Sequence, residues 1–454
     1  MILPAYSIFA PNFSILIMSW QSPTVAFHTL GCKLNFAETA AIARTLSDHG
    51  YSKLEFSEPA DFFVINTCSV TENADKETKQ IVKRALRSNP DAKVIIIGCY
   101  AQLKPEAIAA IPGVSMVLGA KEKFKLYEHI SKLETAETAI IEAGEIEDVA
   151  FFSPAWSQGE RTRTFLKVQD GCDYHCAFCT IPLARGVSRS NTVSETVASA
   201  KKAAESGVKE IVLTGVNIGD FGKTPDGSER TVETFFELIK ALDKEVAVQR
   251  FRISSIEPNL LSEEIIRFVS KSEKFMPHFH IPLQSGSNRI LKFMRRKYLR
   301  ELYAERVAVI KSVMPHACIG VDVIVGFPGE TEQDFLDTYN FLNELDVSYL
   351  HVFTYSERAN TRAVNMSEVV PMEERKKRNK MLRILSEKKR VAFYRQHENT
   401  NRSVLWEAEK SGEEMNGYTD NYIKVSAPFN ADLANTIKGF TISFIGENAL
   451  VEAL

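Results

Sequence analysis

Cys172-Asp-Tyr-His-Cys176-Ala-Phe-Cys179 packs three cysteines into eight residues, and the reading of this stretch decides the central fold of the chain. It follows the apolar run Phe165-Leu-Lys-Val-Gln169 and the pair Asp170-Gly171, which puts it in the loop at the carboxyl end of a strand. Three thiolates this close can hold three irons of a cubane cluster and leave the fourth open to a small molecule. The competing reading is a zinc knuckle with His175 or a distant residue as fourth ligand. Zinc hooks usually come in pairs, and the chain has no second C-x-x-C.

Upstream of this loop, short apolar runs alternate with helical patterns, the mark of a parallel α/β sheet. Val25 to Leu30, Phe62 to Asn66, Lys93 to Ile97 and Val114 to Leu118 read as strands, with helices expected over about 35–47 and 72–87. Cys32, Cys68 and Cys99 each follow one of the first three strands, so all three fall on the carboxyl edge of one sheet, where open α/β sheets place ligands. The spacing predicts a second three-cysteine site. Three separate buried cysteines, or a disulfide between two of them, are the alternatives.

Downstream, strands are expected at Phe165–Gln169, Glu210–Leu213, Arg250–Ser254, Phe279–Leu283, Ile319–Val325 and Tyr349–Phe353, with helices between them, among them 193–206 and 335–344. Six βα units fit a partial (β/α) barrel with its chemistry at the strand carboxyl ends. Polar and glycine-bearing segments fall at those ends: Leu213 to Gly219, Ser254 to Glu257, Gln284 to Arg289, Val325 to Glu330 and Thr354 to Glu357. Together they suggest a cofactor pocket. Cys318 starts the fifth strand, on the opposite rim, and reads as packing.

From Glu373 to Arg395 a helical stretch carries ten Lys or Arg against three Glu. It is either a solvated face whose apolar side (Met381, Ile384, Leu385) docks on the barrel, or a phosphate-contacting surface. Arg185, Arg189, Arg295, Arg296 and Lys297 add positive charge near strand ends. The last residues, with strands at Val404–Trp406, Tyr418–Val425, Thr441–Phe444 and Leu450–Val451, read as a small β-barrel with four basic and eight acidic residues from Asn401 onward.

With 454 residues the chain is too long for one ordinary core, and its 44% hydrophobic and 25% charged content is that of a globular protein. A formal net charge of −3 means a nucleic acid must be met by local basic patches. Seven cysteines, an odd number, argue against a secreted disulfide framework and for a reducing cytoplasmic setting. Residues 1–20 hold no charged side chain, but Pro4 and Pro11 break the apolar run and no positive segment precedes it, so neither a signal peptide nor a membrane span is expected. The reading there is a disordered leader, with Met18 as the working initiator.

Thr29-Leu-Gly-Cys32-Lys-Leu-Asn35, Asn66-Thr-Cys68, Gly98-Cys99-Tyr-Ala-Gln102, the C-x3-C-x2-C triplet and His280-Ile-Pro-Leu-Gln-Ser-Gly286 together resemble the radical S-adenosylmethionine (SAM) methylthiotransferases over nearly the whole chain. Asn66 to Lys76 and Gly98 to Gln102 look most like the branch acting on N6-threonylcarbamoyladenosine at tRNA position 37, with the isopentenyladenosine branch next and a ribosomal-protein branch more remote. The resemblance implies an α/β fold in three units after the leader: an N-terminal parallel-sheet domain over 21–145, a partial (β/α)6 radical SAM barrel over 146–390 and a TRAM-like β-barrel over 391–454. It implies two [4Fe-4S] clusters, one on Cys172, Cys176 and Cys179 that cleaves SAM to a 5′-deoxyadenosyl radical, and an auxiliary one on Cys32, Cys68 and Cys99 that presents the sulfur. It also implies a SAM pocket lined by Thr214, Gly215, Val216, Asn217, Ser255, Glu257, Gln284, Gly326 and Tyr355, with Phe178 near the adenine. Its partners would be the anticodon loop of a tRNA, a reductant protein and a sulfur donor, with no membrane. The acidic terminal barrel departs from what such a domain needs to grip RNA. A non-catalytic iron–sulfur carrier or RNA-binding scaffold is the reading from another class.

Overall fold

The computed structural model describes residues 22–68, 72–134, 136, 138–149, 151–157, 162–445 and 450–453, and the expected leader over 1–20 lies outside them. In the first unit, β1 (Thr24–Thr29), β2 (Ser52–Leu54), β3 (Phe62–Thr67), β4 (Lys93–Gly98), β5 (Val114–Leu118) and β6 (Ile140–Glu142) form one parallel sheet in the order β2-β1-β3-β4-β5-β6. Val94-Ile-Ile-Ile97 is continuously apolar because both faces of the sheet are covered. Val94 and Ile96 pack with Ile81 and Val82 of helix Glu72–Ser88, while Ile95 and Ile97 pack with Ile42 and Leu46 of helix Lys33–Asp48. The edge strands β2 and β6 have no apolar run to announce them in the sequence.

The central unit holds β7 (Arg163–Lys167), β8 (Glu210–Thr214) and β9 (Arg250–Ile253) in one parallel sheet, and β10 (His278–Gln284), β11 (Cys318–Val325) and β12 (Tyr349–Thr354) in another. Ser255, just past β9, pairs with His280 of β10, and Phe251 of β9 pairs with Phe275 just before β10, so the two sheets curve into one open barrel. Alternate residues such as Ile211, Leu213, Phe251, Ile253, Ile281 and Val321 point outward into the main apolar core against the surrounding helices. Two of those helices start at capping boxes, Thr192 with Glu195 and Thr331 with Asp334, which satisfy backbone N–H groups at the first turn.

The terminal unit is a closed barrel of β13 (Asn401–Ser411), β14 (Glu414–Thr419), β15 (Lys424–Pro428), β16 (Ile437–Ile445) and β17 (Leu450–Ala453), in the order β13-β14-β15-β17-β16. The single strand expected over Tyr418–Val425 is two strands. Asp420-Asn421 sits in the turn between them, Tyr422 has φ +68°, and the Tyr422 N–H donates to the Thr419 carbonyl. Helix Met372–Arg395 runs across the expected 390/391 boundary, and its Phe393 and Tyr394 join Cys318 in the core of the terminal barrel. That barrel closes the amino-end rim of the central one: Arg250 donates to the Ser403 and Tyr418 carbonyls, Arg252 to the Asp420 carbonyl, and Arg163 pairs with Glu407 at 2.9 Å.

Candidate functional site

The triplet loop is anchored at its middle. The Ala177 N–H donates to the Met294 carbonyl and the Ala177 carbonyl accepts from Ala363, while its side chain is buried with Ile290, Met294, Phe327 and Tyr355. Gly171 enters the loop at φ +68°, and a Cβ there would lie 1.9 Å from the Val187 carbonyl oxygen, so only glycine fits. Cys172, Cys176 and Cys179 then converge on a cleft of about 210 Å³ at the strand carboxyl ends, walled also by Tyr174, Phe178, Ile181, Val216, Asn217, Ser255, Glu257, Pro282, Gln284, Arg296 and Asp322. Burial pushes the Cys172 and Cys179 thiols up to about 12, so at neutral pH they keep their protons until a metal ion displaces them. Both amide atoms of Asn217 are buried without a partner. An unpaired donor and acceptor beside three thiols suit a ligand bearing both an amino and a carboxylate group.

Six of the residues expected around SAM line this cleft: Phe178, Val216, Asn217, Ser255, Glu257 and Gln284. Four do not. The Val216 and Asn217 N–H groups donate to Gln169 Oε1 at 3.0 and 2.8 Å, so the backbone after Thr214 and Gly215 is taken up by protein. The Gly326 N–H donates to Glu330 at 2.7 Å, with Arg375 packed over its α-carbon. Tyr355 lies behind the loop, 5.6 Å from the Phe327 ring, which itself meets Phe178 edge-on. Arg296, expected as positive charge near a strand end, is part of the cleft wall: it pairs with Glu257 and donates to Cys176 Sγ at 3.1 Å. Its place in the run Arg295-Arg296-Lys297 gave no sign that one cation of the three turns inward.

The other trio sits where the strand pattern put it. Cys32, Cys68 and Cys99 follow β1, β3 and β4, which are adjacent in the sheet. Neighbouring strands lie about 4.8 Å apart, so the three residues span about 10 Å of one edge. No disulfide joins any of the seven cysteines. Gly31, at φ +93°, packs against Cys68, where a Cβ would come within 2.8 Å of the sulfur. Cys32 is exposed to solvent yet walled closely enough that burial pushes its thiol up, while Arg185 pulls it down. Asn35 holds this edge together, donating to the Leu30 and Thr67 carbonyls at 2.9 and 3.1 Å.

Arg185 links the two trios. It ends helix Ile181–Arg185, which starts just past Cys179 and packs on helix Cys99–Leu103. Its guanidinium donates to Asn35 Oδ1 at 2.6 Å and pairs with Glu38 and Asp170, each at 3.0 Å. Lys123 and Lys167 also reach Glu38, and Lys167 and Arg189 reach Asp170, all of them buried. Burial alone would raise the Glu38 carboxyl, but Arg185, Lys123 and Lys167 hold it well below the usual range. Two carboxylates stand among four cations, and Arg185 is the one that also acts on the thiols of Cys32 and Cys99, which suits a site that gathers thiolates. Arg185 and Arg189, expected as positive charge near strand ends, are internal struts whose charge is spent on buried carboxylates.

On helix Met372–Arg395, Arg375 and Arg378 are buried against Glu357 and Glu330, and Ile384, expected on the docked side, is 49% exposed. Lys376, Lys377, Lys380, Arg383, Lys388 and Arg395 face solvent. A basic surface unannounced in the sequence lies on helix Glu72–Ser88, where Lys83, Arg84 and Arg87 border a groove of about 430 Å³. No helix among the described residues is long and apolar enough to cross a membrane.

Residues 24–119 match the uncharacterized protein family UPF0004, and residues 166–342 match the radical SAM superfamily. The threonylcarbamoyladenosine tRNA methylthiotransferase MtaB of Bacillus subtilis is 42% identical over 91% of this chain and 92% of its own length. The tRNA-2-methylthio-N(6)-dimethylallyladenosine synthase of Clostridium tetani is 32% identical over 80% of each chain. Among solved structures, the radical SAM methyltransferase TsrM of Kitasatospora setae superposes with a TM-score of 0.57 at 15% identity, covering 76% of this chain and 77% of its own, a likeness of fold. A radical SAM enzyme binds SAM on a [4Fe-4S] cluster, and the thiol trio with its cleft fits that pair. Matched over nine-tenths of its length, and through both domains, the chain belongs to the radical SAM methylthiotransferase family, in the company of the MtaB proteins.

Proposed function

We propose that this enzyme replaces the C2 hydrogen of N6-threonylcarbamoyladenosine, at position 37 in a tRNA anticodon loop, with a methylthio group. The observation that carries the reading is the pairing of two cysteine trios across one seam, with helix Cys99–Leu103 packed on helix Ile181–Arg185. A radical enzyme with a single cluster needs only the second trio. Cys172, Cys176 and Cys179 would hold the SAM-binding cluster, and Cys32, Cys68 and Cys99 an auxiliary [4Fe-4S] cluster. When bound, the clusters and SAM supply the hydrogen-abstracting radical, the sulfur and the methyl group.

The chain's own residues bind, orient and shield. Asn217, Ser255, Glu257 and Gln284, on the cleft wall, would meet the polar groups of SAM, and Phe178, also on that wall, would lie near its adenine. His280 fixes two walls of the cleft at once, with Nδ1 at 2.6 Å from Ser255 Oγ and Nε2 at 2.9 Å from Asp322. Thr214 and Gly215 lead the chain into Val216 and Asn217, and Tyr355 packs on Phe327, whose ring meets Phe178. The outward cations of helices Met372–Arg395 and Glu72–Ser88 would meet RNA phosphates, so RNA binding does not depend on the acidic terminal barrel. A reductant protein and a sulfur donor complete the cycle, in the cytoplasm.

Mass spectrometry of tRNA nucleosides from cells lacking this protein tests the reading. The methylthio form of threonylcarbamoyladenosine should vanish while the methylthio form of isopentenyladenosine persists. The reverse pattern would assign the enzyme to the sister branch.

A further inference from the structure

Beside the thiol cleft, three strands each turn one metal-ligating side chain into the barrel. His280 lies on β10, Asp322 on β11 and His351 on β12, neighbours in one sheet. Asp322 and His351 are direct partners in the parallel register, and His280 pairs with Gly320, two residues before Asp322. Alternate residues of a strand share a face, so all three side chains stand on the same side of the sheet. Ile281, Val321 and Leu350, next to them in the chain, pack into the outer apolar core. The polar trio therefore faces inward, where a closed barrel holds layers of branched apolar residues. One ligand atom from each, an imidazole nitrogen or a carboxylate oxygen, lies within 4.8 Å of the other two.

Protein groups satisfy this trio only in part. His280 Nε2 is 2.9 Å from Asp322 Oδ1, and its Nδ1 is 2.6 Å from Ser255 Oγ. The His351 ring nitrogens take no hydrogen bond among the described residues; the ring meets those of Tyr349 and His280 edge-on, at 5.1 and 5.3 Å between centroids. Two imidazoles and one carboxylate are a donor set for a divalent transition-metal ion. Zinc bonds of about 2.1 Å at tetrahedral angles set ligand atoms about 3.4 Å apart. His280 and Asp322 are already within that spacing, and His351, exposed on the last strand of its sheet, has room to close the rest. Ser255 meets the second need of such a site, a hydrogen bond to the ring nitrogen that does not face the metal. Its hydroxyl both donates and accepts, so it can hold the Nδ1 proton while Nε2 releases its own to water and takes the ion.

We propose that His280, Asp322 and His351 bind one divalent metal ion of the zinc class, apart from both cysteine trios. No cysteine belongs to the group, so the site favours an ion content with nitrogen and oxygen ligands. Three protein ligands leave a fourth position open, as in zinc sites that take a ligand from solution. Asp322 and Ser255 also line the cleft of Cys172, Cys176 and Cys179, so the ion borders that cleft and its open position is available to an oxygen or nitrogen group entering there. With one ligand on each of β10, β11 and β12, the ion also ties together the three strands that end at the open side of the barrel.

The test uses the cluster-reconstituted enzyme dialysed against zinc ion and then gel-filtered. The wild type should retain about one zinc per chain with its cluster absorbance unchanged. Zinc affinity is read by competition with a chelating dye. His351→Ala should weaken it by more than the roughly 10–100-fold that follows loss of a group merely supporting a ligand, and Ser255→Ala should fall within that range. His351→Asp, which keeps a ligand atom, should retain most of the affinity, and cluster absorbance should match the wild type in all three variants. X-ray absorption at the zinc edge should show nitrogen and oxygen neighbours at about 2.0–2.1 Å, whereas sulfur neighbours at about 2.3 Å would put the metal on cysteines. Sulfur neighbours, no retained zinc, or equal affinity in the wild type and His351→Ala would each overturn the proposal and leave His280 and Asp322 as a hydrogen-bonded pair that braces the cleft.

Discussion

The two cysteine trios are built in opposite ways. Cys172, Cys176 and Cys179 come from one loop of eight residues, pinned at Ala177 and turned by Gly171, so local sequence alone brings the thiols together. Cys32, Cys68 and Cys99 come from three strand ends separated by helices, and only the parallel order β1-β3-β4 makes them neighbours. The first trio depends on a turn and the second on a sheet. One can therefore be disabled without the other, and the seam through Arg185 sets how they face each other.

The largest expected effect separates the trios directly. Cys172→Ala should abolish SAM cleavage, a loss beyond the roughly 10–100-fold that follows removal of a group merely supporting a metal ligand. Cys68→Ala should leave SAM cleavage within reach of the wild type and lose methylthio transfer. The measurement is 5′-deoxyadenosine and methylthionucleoside from the same reaction, and loss of cleavage in both variants would mean that the trios are not separable.

Next comes the seam. Arg185→Met leaves Glu38 and Asp170 buried with fewer cations and should cost about 3–5 kcal/mol of stability by denaturant titration. An unchanged midpoint would show that the remaining lysines carry the network. Glu38 is held well below the usual range, so its contribution is full above the ordinary carboxylate value and drains away as pH falls below it. Stability of the native protein should therefore fall more steeply below about pH 4 than that of Glu38→Gln. Parallel pH profiles would place the acid sensitivity elsewhere.

The smallest effect concerns RNA. Lys376→Glu with Lys377→Glu, both exposed, should weaken tRNA binding and lower the slope of log affinity against log salt by about 1 for each phosphate no longer neutralised. An unchanged slope would make that helix a solvated surface only.

Features with a short physical range were legible in the sequence. The triplet spacing and the apolar runs that became β3, β4 and β5 needed no tertiary information, because each encodes its own local geometry. What failed was direction. Arg185, Arg189 and Arg296 read only as positive charge near strand ends, and nothing local says that a cation will be buried against a carboxylate over a hundred residues away, as Arg185 is against Glu38. Likewise the backbone after Thr214 looked open to a ligand, whereas Gln169 from the preceding strand's loop occupies it. The strand expected over Tyr418–Val425 concealed an Asp-Asn turn within an apolar and aromatic stretch. In the SAM cleft, the residues missed (Tyr174, Ile181, Pro282, Arg296 and Asp322) lie inside or next to motifs that were found, on side chains whose orientation only the fold sets.

Two metal centres on two differently built trios are the core of the account, and an iron count tests them most directly. Anaerobically reconstituted wild-type protein should carry about eight irons per chain, and a variant with Cys32, Cys68 and Cys99 all changed to Ala about four, with the remaining cluster still cleaving SAM. Four irons in the wild type, unchanged by removal of the sheet-edge cysteines, would contradict it.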